Sequence, residues 1–222
     1  MTRTLIAAAL MAGALHGIAY ADEKFESVKV FLERNVQDKD SEVKFDAIGG
    51  TGGLTSLKVV APDGRTVIDF KTPDSKLGMR HLTLESPEPK NDGSVQADFP
   101  AGAYTFTGSS ASGARLEGKA MLSHSFPDAT ALLRPRADAK NVPVNGLQIG
   151  WQSVKGLSAH VVVIVHEASG REIKANLPGN ATGFSVPAGF LQPGTEYKLE
   201  IGTVAKDGNS SFIETAFTTA RK

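Results

Sequence analysis

The feature that most constrains this chain is a short-range alternation of apolar and polar residues, repeated from residue 28 to residue 219. Gly, Pro, Asp and Asn interrupt the alternation at short intervals. In Tyr197-Lys198-Leu199-Glu200-Ile201, for example, the apolar side chains share one face of a strand and the charged ones share the other. Period-two alternation with frequent turn residues predicts an all-β sandwich.

Individual hairpins can be read from the same pattern. Residues 57–61 and 65–71 flank Pro62-Asp63-Gly64, and Asp-Gly supplies the positive φ angles of a tight turn. Residues 25–34 fit helical and strand spacing equally well. We favour a strand because the alternating stretch 43–47 can pair with it across a short polar turn.

The first segment has the form of a secretory signal peptide. Residues 1–21 hold one basic residue, Arg3, then an apolar run over residues 5–15 and the small-x-small triplet Ala19-Tyr20-Ala21. The apolar run is shorter than the roughly 18 residues expected of a membrane-spanning helix. We therefore predict cleavage after Ala21 and a periplasmic or secreted product with no integral membrane span.

The mature chain divides into two parts of similar length. The boundary falls near Phe126-Pro127-Asp128, which predicts an N-terminal β-sandwich domain over residues 22–127 and a second domain over residues 128–220. Both are close to the roughly 100 residues of a typical sandwich. The expected fold class is therefore two consecutive immunoglobulin-like or fibronectin type III-like β-sandwiches after a signal peptide.

The second part resembles a fibronectin type III domain. Trp151 at the end of an early strand and Leu191-Gln192-Pro193-Gly194-Thr195-Glu196-Tyr197 before a late strand carry the resemblance. It implies that Trp151 is the core aromatic and that Tyr197 forms a tyrosine corner. Residues 99–106 and 116–124 resemble the end of an immunoglobulin-like sandwich. The whole chain is similar to secreted bacterial proteins that end in a fibronectin type III domain, which implies an architecture but no activity.

Composition and motifs argue against most chemistry. Twenty-four basic residues balance 24 acidic ones, whereas nucleic-acid binding usually needs a basic excess. The absence of cysteine excludes thiolate metal sites and cysteine nucleophiles. No Gly-x-Ser-x-Gly string occurs, and Gly49-Gly50-Thr51-Gly52-Gly53 leads into a strand rather than a phosphate-binding helix. We expect no enzymatic activity and no cofactor.

One acidic turn is a candidate for metal binding. Asp38, Asp40 and Glu42 alternate along the chain, and Ca²⁺ takes six or more oxygen ligands. The turn lacks the Gly and the distant Glu of an EF-hand, so we predict a solvated turn and no metal site, with calcium as the alternative. His160 and His166 would lie about 20 Å apart on one strand, too far to share a metal ion.

One strand departs from the alternation. Residues 161–165 are apolar at every position, although an isolated sandwich sheet should have one solvated face. Either the strand is merely rich in β-forming residues, or its outer face is covered by the other domain, a second subunit or a ligand. In that second case Val162 and Ile164, or their neighbours, form an interaction surface.

These features together predict an exported, non-catalytic protein that acts as a binding or structural module of the cell envelope or extracellular space. Its partner would be a protein or an envelope polymer rather than nucleic acid. The alternative is a carbohydrate- or surface-polymer-binding module. Such modules favour exposed aromatic side chains, for which Phe184, Phe190 and Phe212 are the candidates.

Overall fold

The computed structural model describes residues 22–74, 76–89 and 91–221, so the predicted signal peptide, residues 1–21, lies outside the described part of the chain. The first sandwich is built from the following elements: β1 (Asp22–Lys24), β2 (Ser27–Asn35), β3 (Asp40–Ile48), β4 (Leu54–Val60), β5 (Thr66–Lys71), β6 (His81–Glu85), α1 (Asp92–Asp98), β7 (Gly102–Ser110) and β8 (Arg115–Leu122).

The second sandwich follows directly in the chain. Its strands are β9 (Leu132–Arg134), β10 (Ala139–Val142), β11 (Gln148–Trp151), β12 (Ala159–His166), β13 (Arg171–Pro178), β14 (Gly183–Ser185), β15 (Glu196–Val204) and β16 (Ser210–Thr219). A 3₁₀ turn, Glu167–Ser169, connects β12 to β13.

The two sandwiches repeat one topology. The order β6-β3-β2 in the first corresponds to β14-β11-β9 in the second, and β5-β4-β7-β8 corresponds to β13-β12-β15-β16. In both, a short extra strand pairs in parallel with the last strand, β1 with β8 and β10 with β16. The predicted all-β sandwich class is confirmed.

Each sandwich has its own buried core. Tyr104 and Phe106 are fully buried in the first, while Trp151 and Phe217 are 1% and 0% exposed in the second. Trp151 donates its indole N–H to the Ala181 carbonyl at 3.0 Å, so its one polar atom is satisfied. The expectation that Trp151 is a core aromatic is therefore confirmed.

The predicted hairpins form as expected. Val30 pairs with Phe45 across β2 and β3, which confirms the strand interpretation over residues 27–34, while residues 25 and 26 lie between β1 and β2. Strands β4 and β5 pair around a turn in which Gly64 has a φ of 87°. Helix α1 was not predicted. It is seven residues long, its N-terminus is capped by the Asn91 side chain, and it places Val95 in the first core.

A tyrosine stabilises the crossover between sheets in both sandwiches. The backbone N–H of Gln192 donates to the Tyr197 hydroxyl at 2.9 Å, as the predicted tyrosine corner requires. In the first sandwich the Tyr104 hydroxyl donates to the Pro100 carbonyl at 3.1 Å. This second corner, at the start of β7, was not predicted.

The sandwiches are joined by strand pairing rather than by a free linker. The first residues of β16, Ser210 to Phe212, pair in parallel with Glu33 to Asn35 of β2. One sheet of each sandwich thereby becomes part of a single eight-stranded sheet. Seven of its strands follow the order β13-β12-β15-β16-β2-β3-β6, and the eighth, β10, pairs with the C-terminal part of β16. We call this junction the seam.

Among the described residues, none of the helices has both the length and the apolar character needed to cross a membrane.

Candidate interaction surface

The structure reverses the faces that the sequence suggested for β12. Val162 and Ile164 are fully buried in the second core, between the two sheets, so the prediction that they form an outer surface is wrong. Their neighbours Val161 and Val163 lie on the opposite face of the strand. Because residues 161–165 are all apolar, alternation alone could not distinguish the two faces.

The outer face of β12 is covered mainly by one aromatic ring. Val161, Val163 and Phe212 form a small cluster on this face, with Val204 packed against it. A Cβ atom added to Gly202 would lie 2.5 Å from the Phe212 ring, so the ring lies directly over this glycine. Phe212 therefore shields the valines from water, and they are 8% exposed.

Next to this cluster, three carboxylates surround one lysine. The Lys44 ammonium lies 3.0 Å from Glu33, 3.1 Å from Glu42 and 3.2 Å from Glu85. Burial raises the pKa of Glu42 to about 7 and outweighs the Lys44 contact, which lowers it. Burial lowers the pKa of Lys44, but Glu33 and Glu42 together outweigh burial and raise it. Lys44 therefore stays charged, while Glu42 titrates near neutral pH.

A second charged group lies on the other side of the seam. The Lys198 ammonium is 2.9 Å from Glu214 and 3.1 Å from Glu200. Glu214 also accepts a hydrogen bond from the Asn35 side chain at 3.0 Å, which links this group to β2. The two charged groups thus face the same side of the fused sheet and are connected across the seam.

Between them lies a hollow of about 300 Å³ with a strong excess of negative charge. Its lining includes eight carboxylate side chains and three basic ones: Glu33, Asp38, Asp40, Glu42, Glu85, Glu88, Glu200 and Glu214, with Arg34, Lys44 and Lys198. A neighbouring hollow of about 540 Å³ shares Asp38, Lys198 and Glu214 and extends to His166 and Glu196. We call the two hollows together the acidic groove.

The calcium candidates lie in this groove but do not converge. Glu42 faces Lys44, and Asp38 accepts a hydrogen bond from the Asn35 side chain at 3.3 Å in the β2–β3 turn. Within residues 22–74, 76–89 and 91–221, no group of three or more His, Asp or Glu side chains is arranged to hold a metal ion.

Two histidines contact hydroxyl side chains. His81 Nε2 contacts both the Asp46 carboxylate and Thr83 Oγ1, so the same ring nitrogen meets both groups. A catalytic relay uses the two ring nitrogens separately, one for the carboxylate and one for the nucleophile. His166 Nδ1 contacts Ser169 Oγ at 2.8 Å within a local turn. Neither pair has the geometry of a catalytic triad.

The aromatic candidates for a carbohydrate platform are buried or half-buried. Phe190 and Phe212 are 8% and 9% exposed, and Phe184 is half-buried against the second core. The Arg171 guanidinium covers the Phe190 ring at 4.9 Å. These three rings therefore present no open stacking face.

Sequence reasoning missed the acidic groove because its residues come from distant segments. The outward charges of Lys198 and Glu200 were visible in the alternation of β15. Lys198 and Glu200 come near Glu33 and Lys44 only because β16 pairs with β2, whose partner residues are 177 positions apart in the chain. No pattern among neighbouring residues predicts such pairing.

No protein-family model matches the chain, and no curated protein matches it. Its neighbours among solved structures include fibronectin type III modules. The fibronectin(III)-like modules of Clostridium thermocellum CbhA match with a TM-score of 0.35 and 10% identity, covering 89% of this chain and 93% of that one. A two-domain fibronectin type III segment of chicken tenascin matches at 0.34 and 13%, covering 89% and 100%.

A third neighbour is a tetra-tandem repeat from the extending region of a large adhesion protein. It matches with a TM-score of 0.32 and 14% identity, covering 88% of this chain and 50% of that one. The sandwich fold of this chain follows from its own strand order and its two cores.

Proposed function

We propose that this protein is an exported, non-catalytic module of the cell envelope or extracellular space, built to bind a partner or to support a structure. In this proposal residues 1–21 are a signal peptide, and residues 22–127 and 128–220 are the two sandwich domains. The observation that carries the proposal is the acidic groove. Residues of both sandwiches line it, and the strand pairing of the seam brings those residues together.

The groove is suited to binding rather than to catalysis. Its two lysines are each held by two or three carboxylates, so the net charge of the smaller hollow stays negative. Charged surfaces steer association and select partners of opposite sign. A basic region of a protein partner is therefore the chemistry that the groove fits best.

The binding function can be tested with the mature chain immobilised as bait for an envelope extract. Glu88→Lys combined with Glu196→Lys reverses two exposed charges that line the groove. Glu23→Lys combined with Glu117→Lys makes the same change in net charge on exposed residues away from it.

We expect the groove variant to lose the captured partner and the control variant to retain it, with both keeping the wild-type circular dichroism spectrum. Equal capture by all three proteins would contradict a role for the groove. Export is tested separately by N-terminal sequencing of the protein from fractionated cells, where a mature end at Met1 would refute cleavage.

The carbohydrate- or polymer-binding alternative depends on aromatic side chains that can stack on sugar rings. Phe184, Phe190 and Phe212 are buried or half-buried, so this alternative has no specific support from these three. Polysaccharide pull-down with the wild-type chain distinguishes it, since retention on a neutral polysaccharide is not expected from an acidic groove.

A further inference from the structure

The seam contains a polar side chain that is buried as deeply as the core residues. Asn209, in the turn between β15 and β16 of the second sandwich, is 1% exposed. Its Oδ1 accepts the backbone N–H of Leu32 in β2 at 2.8 Å. Its Nδ2 donates to the Ser125 carbonyl at 2.8 Å and to the carbonyl and hydroxyl oxygens of Ser123 at 3.0 Å each.

The amide oxygen of Asn209 thus binds the first sandwich, and its amide nitrogen binds residues 123–125, which follow the last strand of that sandwich. Other residues of the same turn also contact the first sandwich and the segment that follows it. Gly208 has a φ of 97°, and a Cβ atom there would lie 3.3 Å from Cβ of Phe31. The neighbouring Asp207 carboxylate accepts the Ser123 hydroxyl at 2.7 Å. We call this turn, residues 206–209, the latch.

The segment between the sandwiches is fixed as well. Ser211 donates its hydroxyl to the Pro127 carbonyl at 2.8 Å, and Thr203 donates to the Asp128 carbonyl at 2.9 Å. The Arg34 guanidinium donates to Ser211 Oγ at 2.9 Å and lies 4.5 Å above the Phe126 ring. Side chains from both sandwiches therefore hold residues 126–128 in place.

We propose that the Asn209 latch couples the folding of the two sandwiches, so that they unfold as one cooperative unit instead of two independent ones. The reason is that each hydrogen bond of the latch and each pair of the seam needs both sandwiches to be folded. Unfolding of either one exposes the edge of β2 or of β16, and unpaired strand edges and their backbone groups are unfavourable. This inference goes beyond the proposed function and does not depend on the identity of any partner.

The chain carries a natural reporter for the test. Trp151 is the single tryptophan and lies in the second core, so its fluorescence reports the second sandwich alone. Amide hydrogen exchange in β3 and β4, measured at increasing urea, reports the first sandwich. In the wild-type full chain we expect both probes to give the same urea midpoint.

A core substitution in the second sandwich tests the coupling without touching the seam. Ile164→Val removes one methylene from a fully buried side chain of the second core. If the sandwiches are coupled, the midpoint of the first-sandwich probe falls together with that of Trp151. If only the Trp151 midpoint falls, the proposal is overturned.

The latch itself is tested by Asn209→Ala, with Asn180→Ala in an exposed turn as the matched control. We expect Asn209→Ala to separate the two midpoints and Asn180→Ala to leave them coincident. Asn209→Asp, which keeps the acceptor for Leu32 but loses the donors, should separate them as well. Coincident midpoints in both Asn209 variants would contradict the latch, and if these variants do not fold, the Ile164→Val result decides.

Discussion

Two buried titratable residues, one in each sandwich, give this protein opposite responses to pH. Glu42 lies beside Lys44 in the first sandwich, and burial raises its pKa to about 7. His160 lies in the second, fully buried with its ring centroid 5.4 Å from that of Trp151, and burial lowers its pKa. Both groups therefore favour the neutral form in the folded protein.

Glu42 should make the folded state less stable as pH rises. Between the ordinary pKa of 4.5 and about 7, the unfolded chain has released this proton and the folded chain has not, so the free energy of unfolding falls through that range. Lys44 keeps its charge throughout. We expect the stability difference between wild type and Glu42→Gln to change by up to about 3 kcal/mol from pH 4.5 to pH 7.

The measurement is urea unfolding of both proteins at several pH values. Thr51→Ala, which changes an exposed, non-titrating side chain of the first sandwich, is the control and should run parallel to the wild type. If Glu42→Gln also runs parallel to the wild type, burial does not raise the pKa of Glu42.

His160 should act in the opposite direction. Its Nε2 has no hydrogen-bond partner among the described residues, and its Nδ1 lies 3.5 Å from the Pro178 carbonyl. Below pH 6.5 the unfolded imidazole takes up a proton that the buried ring resists, so acid destabilises the wild type. Relative to His160→Gln, the wild type should lose stability from pH 7 to pH 5, as followed by Trp151 fluorescence.

Asn180→Ala, which changes an exposed, non-titrating side chain of the same sandwich, provides the control for this titration, and its stability should run parallel to that of the wild type at every pH. A His160→Gln variant whose stability follows the wild type at every pH would show that burial of this ring does not restrict its protonation.

At the scale of elements, a sequence prediction succeeded where residues close together in the chain determine the structure. The β2–β3 hairpin and the Tyr197 corner are specified by residues close in the chain, and both form. Helix α1 was not predicted because it has only seven residues and one buried apolar side chain, Val95, which is too few to give an apolar pattern with helical spacing. The outer face of β12 was misassigned because five successive apolar residues carry no alternation.

The packing of Phe212 over Gly202 gives a prediction for this face. Gly202→Val would place side-chain atoms where the ring lies, and overpacking of this kind costs about 1–3 kcal/mol. We expect a loss of that size in urea unfolding followed by Trp151 fluorescence. The double variant Gly202→Val with Phe212→Ala should be more stable than the sum of the two single effects, because the clash is gone.

Strict additivity of the two substitutions would contradict the close approach of ring and glycine. Phe212→Ala alone should expose Val161 and Val163 to water, and so lower the free energy of unfolding.

At the scale of the whole molecule, the repeated topology and the seam are the main results. The repeat could be anticipated in outline, since two parts of about 100 residues with the same alternation predict two sandwiches. The seam could not, because parallel pairing of Ser210–Phe212 with Glu33–Asn35 joins segments 177 residues apart. The acidic groove depends on the seam and was equally invisible.

The central claim is that the two sandwiches share one sheet across the seam, and native-state amide hydrogen exchange tests it most directly. The Leu32 amide donates to Asn209 and the Val36 amide donates to the Phe212 carbonyl, so both are bonded only if the sandwiches are joined. We predict that both exchange as slowly as the paired amides of β3. Exchange of Leu32 and Val36 at the rate of an exposed strand edge, with β3 protected, would contradict the claim.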